Sequence, residues 1–264
     1  MLKPLTFARQ LSTFNLFLLP LRDKLCLKMR IKLFTIPNGI TLLNLLCGMA
    51  SIVASLVYSD LTLAFCFVCA SAVFDFCDGL AARLLNQYSE VGVQLDSLAD
   101  MVSFGVAPAI AMSVMCGAQP SIFGLSDEWC LWLSYLPFVI ALFSALRLAK
   151  FNVDDSQHEE FEGLPTPAAA ILCLSLAALC EHNEVVVEIE WVALISVIVS
   201  AFLVSPVRMF SFKFKSWGFK ENKLRYIFLL SACLLIVLFR LYSIPLIIVL
   251  YIVVSTVRWI VKKR

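Results

Sequence analysis

The run LTLAFCFVCASAVFDFCDGLAARLL, residues 61–85, carries only three charged side chains in 25 residues: Asp75, Asp78 and Arg83. A helix crosses the roughly 30 Å hydrocarbon core of a bilayer with about 20 mostly apolar residues, so the length and composition of this run predict a membrane-spanning helix. The two aspartates are what such a helix should lack. A carboxylate at membrane depth costs on the order of 3 kcal/mol or more unless it is paired or coordinated, so it marks a functional site by default. One stretch therefore predicts both an integral membrane protein and a polar site inside it.

The rest of the chain agrees. It has 264 residues, of which 61% are hydrophobic and 15% charged, and its mean hydropathy is +0.91. Soluble domains are nearer half apolar and a quarter charged, and disordered tails are more polar still, so both classes are excluded. Most of the ten Cys lie in apolar runs, where a thiol behaves as a small hydrophobe, so a secreted disulfide scaffold is excluded too. Cys66 and Cys69 form a C-x-x-C without a second pair at zinc-site spacing, and no metal is expected there.

Spanning runs recur eight times, at Asn38–Tyr58, Leu61–Leu85, Leu95–Cys116, Trp129–Phe151, Leu164–Cys180, Trp191–Val207, Tyr226–Tyr242 and Ile244–Val261. Short cytoplasmic loops collect Lys and Arg, which gives an independent test of the count. With eight spans and the N-terminus inside, 20 of the 21 basic residues fall on one side, and only Arg240 lies outside. The expectation is an all-α, multi-pass protein of about eight transmembrane helices, in a bacterial inner membrane, with its polar site at the cytoplasmic face. Residues 36–264 form the polytopic catalytic domain, and residues 1–35 a basic juxtamembrane segment. The apolar stretch Leu11–Pro20 is too short to span and has no small-residue cleavage site after it. Two readings stay open: an interfacial amphipathic lead-in held by anionic lipid, or a translation start at Met29.

Two further aspartates stand near the start of the third span. Asp75 and Asp78 are spaced i, i+3, and Asp96 and Asp100 i, i+4, so each pair lies on one helix face. A short connection makes the two helices antiparallel neighbours and brings the pairs together. Four like charges at close quarters need cations to stay ionised. Hard oxygen ligands without a nearby His point to Mg²⁺ or Mn²⁺, with His158 and His182 expected as solvated loop residues. The competing view of Asp96 is a helix-capping acid. Gly79 lets a ligand approach the backbone beside Asp78, Arg83 suits phosphate oxygens, and Gly92 thins the facing helix. Together with two cations these make a pyrophosphate site, suited to displacement at phosphorus. An ion-coupled transporter is the alternative from another class, but it calls for charges near the bilayer midplane and broken helices in two related halves.

Asp75-x-x-Asp78-Gly79-x-x-Ala82-Arg83, eight residues, then Gly92-x-x-x-Asp96-x-x-x-Asp100 resembles the full signature of the CDP-alcohol phosphatidyltransferases. Three more stretches resemble one branch, the CDP-diacylglycerol–serine O-phosphatidyltransferases. They are TIPNGIT (35–41), SLADMVSFGVAP (97–108), and RLAKFN (147–152) followed by FEGLPTP (161–167). The resemblance runs from about Ile31 to Ala170.

It implies that Asp75, Asp78 and Asp96 ligate one divalent cation and Asp75, Asp96 and Asp100 a second, with Asp100 also the general base toward the serine hydroxyl. The oxygen attacks the lipid-bearing phosphorus of CDP-diacylglycerol and CMP leaves. Asn38, Gly39, Ile40, Thr41, Gly79, Arg83 and Ser89 would bind the CDP-diacylglycerol. For the acceptor, Arg147 or Lys150 would meet the serine carboxylate, and Asn152 and Thr166 would shape the pocket; the opposing view is that both cations simply obey the positive-inside rule. The serious alternative within the family is another acceptor, glycerol 3-phosphate or inositol phosphate. Members of the family often form homodimers, and no nucleic acid is expected as a partner.

Overall fold

A computed structural model describes residues 33–153, 161–182, 186–209 and 219–263. The basic lead-in up to residue 32, the possible start at Met29, His158 and the basic stretch 210–218 lie outside the described residues.

Helix α1 (Ile36–Val57) places Pro37 in its first turn, where the missing N–H has no intrahelical partner to lose. Asp60 caps α2 (Leu61–Leu84) by accepting from the Leu63 N–H at 2.6 Å. The end of α2 is a Schellman turn. Asn86 sits at φ 51°, Asn86 N–H donates to the Arg83 carbonyl at 3.4 Å, and Gln87 N–H donates to the Ala82 carbonyl at 3.0 Å. Ser89 then caps α3 (Glu90–Asp100), its hydroxyl accepting from Gly92 N–H at 2.9 Å. A π-helical stretch, Met101–Val106, continues directly into α4 (Ala107–Ala118). Next come α5 (Asp127–Tyr135), a 3₁₀ turn around Pro137, and α6 (Val139–Val153). The remainder is α7 (Thr166–Glu181), α8 (Ile189–Leu203), α9 (Phe219–Phe239) and α10 (Ser243–Lys263). Two short strands, β1 (Phe161–Glu162) and β2 (Arg208–Met209), pair antiparallel.

Apolar helices stand at all eight expected places. Five stretches are long and apolar enough to cross a membrane: Ile36–Val57, Leu61–Leu84, Glu90–Ala118, Asp127–Val153 and Ser243–Val261. The other three, Thr166–Glu181, Ile189–Leu203 and Tyr226–Phe239, are shorter. At 1.5 Å per residue, the 16-residue α7 covers about 24 Å, less than the hydrocarbon core. It is also largely enclosed by its neighbours, with Ala169, Ala170, Cys173, Leu174 and Ala177 fully buried. The sixth expected span, Trp191–Val207, overshoots: α8 stops at Leu203 because Pro206 pushes the preceding residue out of helical conformation.

Helix ends meet in two groups. Glu181, ending α7, accepts from Leu61 N–H at 3.0 Å and Thr62 N–H at 2.8 Å, where α2 begins. Ile189 N–H, opening α8, donates to the Pro120 carbonyl just after α4. At the opposite end the β1–β2 pair joins the approach to α7 with the exit from α8, and Lys150 at the end of α6 reaches Glu162.

Packing follows membrane logic. The buried positions of α1 are Pro37, Asn38, Thr41, Asn44, Gly48, Ser51, Ala54 and Ser55, while Leu42, Leu43, Leu46, Met49 and Val53 face outward. Where the solvent is hydrocarbon, burial gives no gain to leucine, and small and polar groups that let backbones approach go inside.

Candidate active site

The chain reversal between α2 and α3 decides the site. The Schellman turn and the Ser89 cap reverse the chain over five residues, so that the carboxylates of α2 and α3 meet. Asp96 is the seventh residue of α3, well inside the helix, so it is not a capping acid; Ser89 holds that place. One carboxylate oxygen from each of Asp75, Asp78 and Asp96 lies within 4.8 Å of the other two, a grouping that can bind a metal ion. Asp96 Oδ1 is buried and has no hydrogen-bond partner among the described residues. A buried carboxylate oxygen left without a donor, facing two other carboxylates, fits a hard divalent cation. Asp100, one turn further on, is buried at 9% exposure and accepts from Asn44 Nδ2 at 3.1 Å.

Helix α1 braces this cage. Thr41 Oγ1 donates to Asp78 Oδ2 at 2.6 Å, one turn before Asn44 reaches Asp100. A Cβ on Gly92 would sit 3.0 Å from Ser89 Oγ and 3.1 Å from Asn38 Oδ1, so any larger residue there makes these side chains give way by a few tenths of an ångström.

An open cleft of ≈ 180 Å³ adjoins the carboxylates, and its lining includes Asn38, Thr41, Asp78, Gly79, Arg83, Ser89 and Asp96. Of the residues expected at the nucleotide, Gly39 and Ile40 do not line it. Asn38 and Thr41 share a helix face at i, i+3, and the two residues between them turn away. Ser89 is present, but its hydroxyl is engaged with Gly92 N–H. Sequence reasoning missed Gln87 and Tyr88, which the reversal of chain at Asn86 swings into the lining.

The residues expected at the acceptor divide. Arg147 Nη1 donates to the hydroxyl of the buried Thr166 at 3.3 Å, and Arg147 Nε is buried with no hydrogen-bond partner among the described residues. The same guanidinium interacts electrostatically with Asp100 and with Tyr251 of α10. Asn152 instead pairs with Ser97, donating to its hydroxyl at 2.8 Å, which ties α6 to the residue after Asp96. Lys150 forms a 2.8 Å ion pair with Glu162, and Arg208 approaches the same carboxylate at 3.9 Å. His182 Nε2 stands 3.0 Å from Thr62 Oγ1 at the far end of the bundle, away from the carboxylates.

Comparison with known proteins identifies the family. The family model of the CDP-alcohol phosphatidyltransferases matches residues 34–204, beyond the stretch over which the motifs alone carried the resemblance. A CDP-diacylglycerol–serine O-phosphatidyltransferase of Helicobacter pylori is 31% identical over 236 residues, covering 86% of this chain and 92% of the relative. Another so named, from Bacillus subtilis, is 38% identical over 179 residues, covering 67% and 91%. One from Methanocaldococcus jannaschii is 28% identical over 207 residues, covering 78% and 85%.

Proposed function

Since the chain belongs to the CDP-alcohol phosphatidyltransferase family, we propose that it transfers the phosphatidyl group of CDP-diacylglycerol to the hydroxyl of L-serine, giving phosphatidylserine and CMP. The observation that carries the proposal is the set of four aspartates on α2 and α3 beside the open cleft, in a chain whose relatives bear that name.

Asp75, Asp78 and Asp96 would hold one cation, and Asp75, Asp96 and Asp100 a second. Mg²⁺ or Mn²⁺ bound there would neutralise the diphosphate and the charge developing on CMP as it leaves. Gly79 leaves the backbone bare beside Asp78, and Arg83 supplies a guanidinium for phosphate oxygens at the mouth of the cleft. Asn38, Thr41 and Ser89 complete the nucleotide side. Asp100 takes the proton of the serine hydroxyl as the new oxygen–phosphorus bond forms and the bond to CMP breaks. A metal-bound carboxylate is a weak base, so that proton moves late and Asp100 works largely by placing the hydroxyl.

Charge favours serine over a phosphate-bearing acceptor. Glu162 offsets only part of the charge of Lys150 and Arg208, and Arg147, whose Nε has no hydrogen-bond partner among the described residues, would meet the single carboxylate of serine. Thr166 orients Arg147 from one side and Asn152 fixes the adjoining turn through Ser97.

The catalytic unit is residues 36–264, with residues 1–35 as an interfacial lead-in. The active end faces the cytoplasm of a bacterial inner membrane, where free serine is available, and the enzyme works as a homodimer. Purified protein with CDP-diacylglycerol and Mg²⁺ or Mn²⁺ releases CMP when serine is added. Release with glycerol 3-phosphate or inositol phosphate, and none with serine, overturns the choice of acceptor.

A further inference from the structure

We infer that Asn44 is a positioning residue of this site: the α1 amide fixes the orientation in which Asp100 meets a cation and the acceptor hydroxyl. The inference rests on the phosphatidyltransfer reading for its catalytic consequence, but its geometry stands independently.

Asn44 lies in the middle of the apolar run TLLNLLCG (41–48), and its side chain is fully buried. Three elements converge on it. Its Nδ2 donates to Asp100 Oδ1 at 3.1 Å. Its Oδ1 accepts from the hydroxyl of Ser71 on α2. Its main-chain carbonyl accepts from Ser103 Oγ, in the π-helical stretch, at 3.1 Å. An ionised carboxylate only accepts, so the amide must turn its nitrogen toward Asp100, and the Ser71 hydroxyl holds the other end of the amide in the complementary sense. The orientation is set from both sides. With Oδ1 of Asp100 engaged, Oδ2 is the oxygen left with both lone pairs for a cation or a hydroxyl.

Thr41 does the equivalent for Asp78 one turn away, so α1 presents one donor to a carboxylate of α2 and one to a carboxylate of α3. Donors at i and i+3 on a single rigid helix set the separation of the two aspartate pairs. Ser55, Ser196 and Ser200 each donate to the carbonyl four residues back on their own helix, and Thr41 also lies 3.1 Å from the Pro37 carbonyl, whereas the Asn44 side chain bonds only to other helices. Asn44 is also absent from the lining of the nucleotide cleft, so its loss spares CDP-diacylglycerol binding.

The test is Asn44→Leu, which is close in volume, keeps a partner for Ser71, whose Oγ already lies 3.2 Å from the residue-44 carbonyl, and takes from Asp100 Oδ1 the donor whose role is in question. Mn²⁺ binding to the detergent-solubilised full chain is titrated by electron paramagnetic resonance, alongside kcat and KM. Groups that orient metal ligands typically contribute about 10–100-fold, so the weaker Mn²⁺ site loosens and kcat falls by that factor, with KM for CDP-diacylglycerol changed less than about 2-fold. Ser71→Ala gives a smaller loss in the same quantities and adds nothing to Asn44→Leu, since the two share one interaction. Unchanged Mn²⁺ binding and kcat overturn the inference. So does a uniform fall of both Mn²⁺ sites together with the thermal midpoint, which is the signature of a residue that only packs helices. If the wild-type chain releases no CMP with serine, the functional reading fails instead, and the Mn²⁺ titration still decides the role of Asn44.

Discussion

Three glycines separate folding from catalysis. On α1, a Cβ at Gly48 would stand 2.8 Å from the Cα and 2.9 Å from the Cβ of Ser103. Carbon atoms need about 3.5–4.0 Å, so Gly48→Ala forces α1 and the π-helical stretch apart by roughly 1 Å. The obstacle is backbone, which does not swing aside, and overpacking of this kind costs about 1–3 kcal/mol. The same opening stretches the 3.1 Å Asn44–Asp100 bond one turn away, past the limit of a useful hydrogen bond. Gly79 and Gly117 differ, since a Cβ at either meets nothing within 4 Å. Gly117→Ala, in α4, should gain up to about 1 kcal/mol from helix propensity with kcat unchanged. Gly79→Ala should be as stable as wild type but should lose activity, because its methyl projects into the nucleotide cleft. Thermal unfolding in detergent reads the stabilities, each kcal/mol moving the midpoint by about 2–4 °C in a chain of this size. CMP release reads the activities. The reasoning is refuted if Gly48→Ala melts with the wild type, or if Gly79→Ala loses stability instead of turnover.

Asp100→Asn should abolish CMP release while CDP-diacylglycerol still binds, measured by equilibrium binding of the nucleotide lipid; retained turnover removes Asp100 as the base. Glu181→Ala strips the α2 N-terminus of an acceptor serving two N–H groups and the Thr62 hydroxyl. It should cost about 1–2 kcal/mol in unfolding and leave kcat intact, being at the far end of the bundle. Glu162→Gln should change stability by less than about 1 kcal/mol, as the pair it breaks is solvent-facing. It should also lower the selectivity for serine over glycerol 3-phosphate by releasing Lys150, and an unchanged ratio in competition assays argues against a role for that pair. Because the cleft lies on the α1–α2 side and Arg147 on the α6–α7 side, a phosphorothioate analogue chiral at the transferred phosphorus should react with inversion. Retention would show a covalent intermediate.

The parts of this site that stood out in the sequence were those whose chemistry is improbable in lipid. An aspartate in an apolar run is conspicuous because the membrane penalises it, and four of them at helical spacing leave few interpretations. The braces were harder to see. Asn44 and Thr41 belong to the same class as Ser51 and Ser55, neutral polar residues that a span tolerates at little cost, and all four are buried on one stripe of α1. Spacing placed them on a common face but could not say which would reach another helix. Gln87 and Tyr88 were hidden for a different reason: their place depends on the left-handed backbone at Asn86, a conformation a non-glycine adopts in only a few per cent of cases. The π-helical stretch at Met101–Val106 leaves no mark in the hydrophobic pattern, because the residues around it are apolar or small on every face.

Sorting the buried polar residues by where their hydrogen bonds go also sets the depth of the site. Asn38 faces Gly92, Thr41 engages Asp78, and Asn44 engages Asp100. The next positions along the stripe are different: Gly48 closes against Ser103, Ser51 donates to the Ala64 carbonyl, and Ser55 to its own helix. Beyond Asn44, then, every polar group on α1 is spent on backbone, and the helices meet at a glycine too closely to admit a side chain. Among the described residues Ser71, Asn44 and Ser103 form a floor, and the cleft lies toward the end where α2 turns into α3. In the proposed reaction the nucleotide would enter and CMP would leave through that cleft. The transporter alternative falls to the family match, which covers residues 34–204 and with them all four aspartates.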